Sequence, residues 1–156
     1  VGYYIYGPSG SAGVASGSLM NSTLPTASVI TLSGNGWNVN NTNSTYIALL
    51  FATLAGISKV GSYTGTGADL NVDCGFTGGA RFILIKRTDT AGDWFTYDSF
   101  RGITAGNDPY LLLNSTAAQV TNTDYIDPLN AGFTVTSSAP AGLNASSGTY
   151  IFLAIA

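Results

Sequence analysis

The sequence predicts an all-β fold, an antiparallel β-sandwich, on three observations. All eight acidic residues are Asp and there is no Glu, so the acidic positions favour turns over helices. The apolar segments are short, and nearly every one is bounded by Gly, Pro, Asn or Asp, the punctuation of a sandwich. No segment carries a convincing helical period.

The elements follow in order. Tyr3-Tyr4-Ile5-Tyr6 is aromatic and β-branched and predicts a strand, stopped by Gly7-Pro8-Ser9-Gly10. Residues 11–18 are small and predict a flexible link. Strands are predicted at 28–32 and 37–39, around Ser33-Gly34-Asn35-Gly36, whose Asn-Gly pair favours positive φ and a tight hairpin. Residues 45–54 are mostly apolar and predict a long buried strand before Gly56.

Residues 57–63 predict the next strand and Thr64-Gly65-Thr66-Gly67 a loop. Residues 70–76 alternate, with Leu70, Val72, Cys74 and Phe76 on one face. Residues 80–88 have an apolar middle and predict a central strand. Trp94-Phe95-Thr96-Tyr97 predicts another after a turn at 90–93. Residues 102–109 predict a loop and 110–114 a strand. Asp127-Pro128 and Asn130-Ala131-Gly132 predict turns before a strand at 133–137. Residues 138–148 predict a loop, and 149–155 the last strand.

An internal repeat organises these elements. Leu19-Met20-Asn21-Ser22-Thr23 returns as Leu112-Leu113-Asn114-Ser115-Thr116, and Gly36-Trp37-Asn38-Val39 as Gly132-Phe133-Thr134-Val135. Asn43 to Ala52 returns as Ser147 to Ala156. The offsets are 93, 96 and 104 residues, a spacing suited to small tandem domains. Residues 1–56 read as the second half of a first β repeat unit, and 57–156 as a complete sandwich unit.

Composition bounds the function. Only 8% of residues are charged, against about 25% in an ordinary domain. Every charge lies between Lys59 and Asp127. A charge-free run of that kind reflects either a general habit of low charge use or a surface covered by other subunits. Net charge −3 and pI 4.3 argue against nucleic-acid binding. The longest apolar run, Tyr46 to Ile57, is too short to span a bilayer. The opening at Val1 carries no basic stretch before an apolar core, so no signal peptide is expected there. The single Cys74 predicts a buried thiol with no intrachain disulfide.

The densest charge cluster is Lys86-Arg87-Thr88-Asp89, followed by Asp93-Trp94. One reading is a site for an acidic or sugar ligand with Trp94 as a platform. The favoured reading is an Arg87–Asp pair closing a strand end while Trp94 packs in the core. Asp69 and Asp73 could form half of a calcium site, but the dense spacing and closing Glu of a calcium loop are absent. There is no His, and no Ser-x-x-Lys spacing, so no nucleophile has an evident base. Tyr46 recurs as Tyr150 and Trp37 as Phe133, which predicts packing and not ligand contact. Asn21, Asn40, Asn43, Asn114 and Asn144 begin Asn-x-Ser/Thr triplets, a pattern that this composition produces by chance.

Seven motifs occur in order. They are Gly61-Ser62-Tyr63-Thr64-Gly65-Thr66-Gly67, Gly75-Phe76, Phe82 to Asp89, Gly92-Asp93-Trp94 with Tyr97-Asp98, Leu113 to Ala118, Gly132-Phe133 and Gly148-Thr149-Tyr150-Ile151. The set resembles a repeated β-domain of bacteriophage virion proteins, many of them tail fibres, often placed beside lectin-like sandwich domains. The resemblance implies a structural protein exposed on the phage particle. It implies no catalytic residue and carries over no binding residue. The first unit departs from the pattern, because it lacks the Gly-Ser-Tyr-Thr-Gly and Lys-Arg-Thr-Asp segments.

The expectation is therefore one and a half tandem units of a jelly-roll or lectin-like sandwich. The expected function is a virion surface structural protein, a tail-fibre or receptor-binding component. The alternatives are a capsid decoration (cement) protein and a secreted lectin-like glycan-binding module. No enzymatic activity, cofactor or metal is expected. The expected partners are other copies of the chain in a homo-oligomer, neighbouring virion proteins, and a host-surface glycan or receptor. Nucleic-acid binding and membrane insertion are not expected.

Overall fold

The structure is a computed structural model that describes residues 3–4, 10–15, 22–23, 26, 28–34 and 39–156. The chain divides into two compact units, Val1–Tyr6 with Gly13–Leu50, and Gly7–Ala12 with Phe51–Ala156. In the first, β1 (Tyr3–Tyr4) pairs antiparallel with β2 (Val14–Ala15). Strand β2 falls within the segment expected to be a flexible link.

The second unit holds β3 (Ser58–Thr64), β4 (Leu70–Asp73), β5 (Phe82–Arg87), β6 (Trp94–Asp98), β7 (Leu111–Leu112), β8 (Ile126–Leu129), β9 (Gly132–Val135), helix α1 (Ala141–Asn144) and β10 (Thr149–Ile155). Two antiparallel sheets form, one in the order β3-β10-β5-β6-β7 and the other β4-β9-β8. The fold is all-β, as the composition predicts, with a single helical turn among the described residues. No helix among them is long and apolar enough to cross a membrane.

The core lies between these sheets. Ile83, Ile85, Phe95, Tyr97, Tyr150, Phe152 and Ala154 of the larger sheet meet Val72, Phe133, Val135 and Ile126 of the smaller, all buried. Cys74 and Phe76 join them, as the alternation at 70–76 predicts. Burial pushes the Cys74 thiol up to about 11, so it stays protonated near neutral pH. Gly132 allows β9 to press against β4, since a Cβ there would collide with the Val72 carbonyl oxygen.

Several expectations need correction. Residues 28–32 are not a strand. The Thr26 hydroxyl accepts the amide hydrogens of Ser28 (3.3 Å) and Val29 (3.0 Å), and the Thr26 amide donates to the Val29 carbonyl (2.9 Å). This local turn competes with any ladder. Of the strands expected at 3–6 and 37–39, residues 5–6 and 37–38 lie outside the described residues, as do 7–9 and 35–36 of the expected turns.

The long buried strand at 45–54 is overturned most plainly. Residues 44–53 are neither helix nor strand, and Ile47 is 93% exposed. Leu54 makes one bridge to Ser58. Beyond it the Thr53 hydroxyl, not the backbone, bonds to the amide and carbonyl of Val60 (3.1 and 3.3 Å). The ladder stops there.

Two further elements were missed. Strand β8 spans the expected turn at Asp127-Pro128. Proline is tolerated because β8 is an edge strand. The loop at 138–148 contains α1, whose turn closes when Leu143 and Asn144 donate to the Pro140 carbonyl (2.8 and 3.0 Å). The strand expected at 110–114 shrinks to Leu111–Leu112, because Tyr110 pairs instead with Val120.

Candidate functional site

The charged cluster resolves into two structural devices on opposite faces of β5. Arg87 faces inward and grips Asp89 with two bonds of 2.9 and 2.8 Å. It also donates to the Ala141 carbonyl (2.8 Å) and lies over the Tyr150 ring at 5.9 Å. Asp89 accepts the Thr149 amide hydrogen at 3.1 Å. The Arg87 bond and this amide hold the Asp89 carboxyl well below the usual carboxylate range. The pair ties the end of β5 to α1 and β10, as the favoured reading expects.

Lys86 points to the other face and is fully buried. Its ammonium donates to the carbonyls of Arg87 and Gly92 (both 2.9 Å) and Gly10 (3.4 Å). Burial lowers its pKa, and Asp93 partly restores it. Lys86→Met is expected to destabilise the chain by about 2 kcal/mol, since three carbonyls lose a charged donor. A urea midpoint equal to that of the wild type would refute this.

Trp94 is not in the core. It is the cross-strand partner of Lys86, on the outer face of the larger sheet, and half-buried. The alternate residues of its strand, Phe95 and Tyr97, take the core positions.

That outer face holds a concavity. A groove of about 490 Å³ is lined by Phe51, Val60, Leu84, Trp94, Ile151 and Leu153, with Gly61, Ser62 and Phe152. No lining side chain is titratable, so the groove offers apolar contact and no acid, base or nucleophile. A sandwich sheet ordinarily shows water a polar face. Here β10 is apolar at every position from Tyr150 to Ile155, so both of its faces need cover. Sequence reasoning did not identify this groove. Its signal was the lack of alternation in 80–88 and 149–156.

A second cleft of about 410 Å³ opens between β3 and β4, lined by Lys59, Ser62, Tyr63, Asn71 and Asp73 among others. Gly61 at its floor is required by packing, since a Cβ would stand 2.7 Å from the Phe152 ring. Asp73 and Asp69 do not converge on a metal. Asp73 accepts the Gly75 amide and Asp69 the Ser137 amide, each at 2.7 Å. Among the described residues no three such side chains gather for an ion.

The repeated aromatics divide. Tyr150 and Phe133 are buried, whereas Tyr46 is 48% exposed and accepts the Asn41 amide hydrogen (3.0 Å). Trp37 lies outside the described residues. Of the Asn triplets, Asn40 and Asn43 are exposed, Asn114 is half-buried and bonded to Asp93 (2.8 Å), and Asn144 is buried. Asn21 lies outside the described residues.

The family of domains of unknown function DUF7483 matches residues 4–156. The chain belongs to this family. No curated protein matches it, and neither does any solved structure. In this DUF7483 chain the charged cluster serves the scaffold, while the outer sheet face and the segment at 45–54 present apolar side chains to the surface.

Proposed function

We propose that this chain is a surface structural protein of a bacteriophage virion, a tail-fibre or receptor-binding component. The ordered motif set across residues 57–156 carries this reading. Its residues serve the scaffold: Gly61 makes room for Phe152, Gly132 admits β9 to β4, and Arg87 with Asp89 locks β5 to β10. A scaffold of short, tightly turned strands with few charges suits a repeated, exposed part of a particle.

A second reading, a capsid decoration protein, is favoured by the exposed, charge-free segment 45–54, which suits coverage by neighbouring subunits. Quantitative mass spectrometry of purified particles, with antibody labelling in the electron microscope, separates the two. Label on the tail at tens of copies supports the first. Label over the capsid at hundreds of copies replaces it with the second. Absence from the particle overturns both.

A further inference from the structure

Residues 45–52 have the sequence of a central strand and the exposure of a loop. Thr45 to Ala52 matches Thr149 to Ala156, which is β10, paired with β3 on one side and β5 on the other. In β10, Tyr150, Phe152 and Ala154 enter the core while Ile151, Leu153 and Ile155 line the opposite face. The equivalent positions are Tyr46, Ala48 and Leu50 on one face and Ile47, Leu49 and Phe51 on the other. Ile47, Leu49, Leu50 and Phe51 are 93%, 78%, 69% and 60% exposed. A contiguous apolar patch of this kind marks an interaction site.

The complementary surface is on the same chain. Strand β3 is the edge of its sheet. Ser58 and Val60 turn their polar backbone groups outward, where Leu54 and Thr53 meet them. By the antiparallel alternation, Ser62 and Thr64 face the same open side, and no strand lies along it among the described residues. Beside this edge runs the apolar groove of Val60, Leu84, Trp94 and Ile151.

We propose that residues 45–52 of one copy add as a strand to the open edge of β3 in a second copy, beside Ser62 and Thr64. The Ile47, Leu49 and Phe51 face then continues the outer apolar face. Three observations select a second copy as the occupant. The segment repeats the strand that β3 already accepts through its other edge. Neither the segment 45–52 nor the groove beside the edge carries a charge that a charged partner could read, and Lys59 is the one charged side chain of β3 itself. The exposed parts of Tyr46, Ile47, Leu49, Leu50 and Phe51 together approach the ~800 Å² per partner of a stable interface.

The inference rests on the reading of a self-assembling structural protein. Its test uses the full chain in sedimentation velocity at micromolar concentration. The wild type is expected to self-associate, and Ile47→Lys with Leu49→Lys is expected to weaken association by about tenfold or more. Ser62→Pro should do the same from the other side, since it removes an outward amide and leaves the bonds to β10 intact. Mixing a Leu49→Cys chain with a Ser62→Cys chain should yield a disulfide-linked heterodimer under oxidation. Circular dichroism and the urea midpoint report whether each variant folds; the lysine substitutions sit on exposed positions and should. A monomeric wild type overturns the inference. Self-association untouched by the lysine pair, with no cross-link, overturns this surface, while particle localisation independently tests the virion reading.

Discussion

Asn144→Ala is expected to lower the stability of the chain by about 3 kcal/mol. Asn144 is only 3% exposed and spends its whole amide on backbone groups. Its Oδ1 accepts the amide hydrogens of Thr66 (2.9 Å) and Gly67 (3.3 Å). Its Nδ2 donates to the carbonyls of Ala68 (2.8 Å) and Thr136 (3.0 Å). One side chain thus ties the β3–β4 loop and the end of β9 to α1. Alanine leaves four polar groups without this partner, and each unsatisfied group costs about 1–3 kcal/mol less whatever entering water restores. Asn144→Asp keeps the acceptors but turns the donor end into a charge facing two carbonyl oxygens, so it should lose at least as much. Urea unfolding measures both, with m unchanged from the wild type. A loss below about 1 kcal/mol would show that the loop is held elsewhere. The burial also bears on the Asn144-Ala-Ser triplet, whose amide is unavailable for modification in the folded chain.

The elements legible in the sequence were those whose partners lie within one unit. Strands β3, β5, β6, β9 and β10 fall where apolar and β-branched runs meet turn residues. The alternation of Leu70, Val72, Cys74 and Phe76 identified a core face correctly. Failures came where the deciding partner is not encoded locally. Thr45–Ala52 and Thr149–Ala156 have nearly the same β propensity, yet only the second is a strand. Strand formation depends on a ladder partner and cover, which propensity does not supply. At 28–32 a single Thr26 hydroxyl took the amides that a strand would have used. Pro128 read as a turn because sequence does not reveal which strand will be an edge. The partner of Arg87 is Asp89, in the bend just past β5; an Arg87–Asp pair at a strand end was legible because the candidate partners lie close in sequence. The outer groove was not, since it joins Phe51, Val60, Leu84, Trp94 and Ile151 from four strands and a connecting segment. Trp94 was misplaced for the same reason: its neighbour in sequence, Phe95, held the core position.

Stability is expected to fall as pH rises from about 4 to about 7, and Asp108 is the reason. Asp108 is fully buried, and among the described residues no ion pair reaches it. Burial pushes its carboxyl up to about 7. The amides of Tyr125 (2.9 and 3.1 Å) and Ile126 (3.0 Å) pull it back only in part, and Asp124 and Asp127 push it further up. The folded pKa thus lies above the unfolded value of 3.8. Between these values the folded chain keeps a proton that the unfolded chain gives up. The contribution is fully present below the unfolded pKa and is lost as pH rises through the folded one. The loss is on the order of a few kcal/mol, at about 1.4 kcal/mol per pH unit. Asp89 works in the opposite sense and in a separate window. Arg87 depresses its carboxyl, so its contribution is present above the unfolded pKa and lost as pH falls below about 4. The two together place the stability maximum on the acid side of neutrality. Asp108→Asn keeps an acceptor for Tyr125 or Ile126 and cannot ionise, so it should flatten the limb between about pH 4 and 7. Urea midpoints for both chains across that range decide the matter. A wild type that grows more stable over the same range would mean that the amide bonds to Tyr125 and Ile126 outweigh burial, and that Asp108 is a carboxylate throughout.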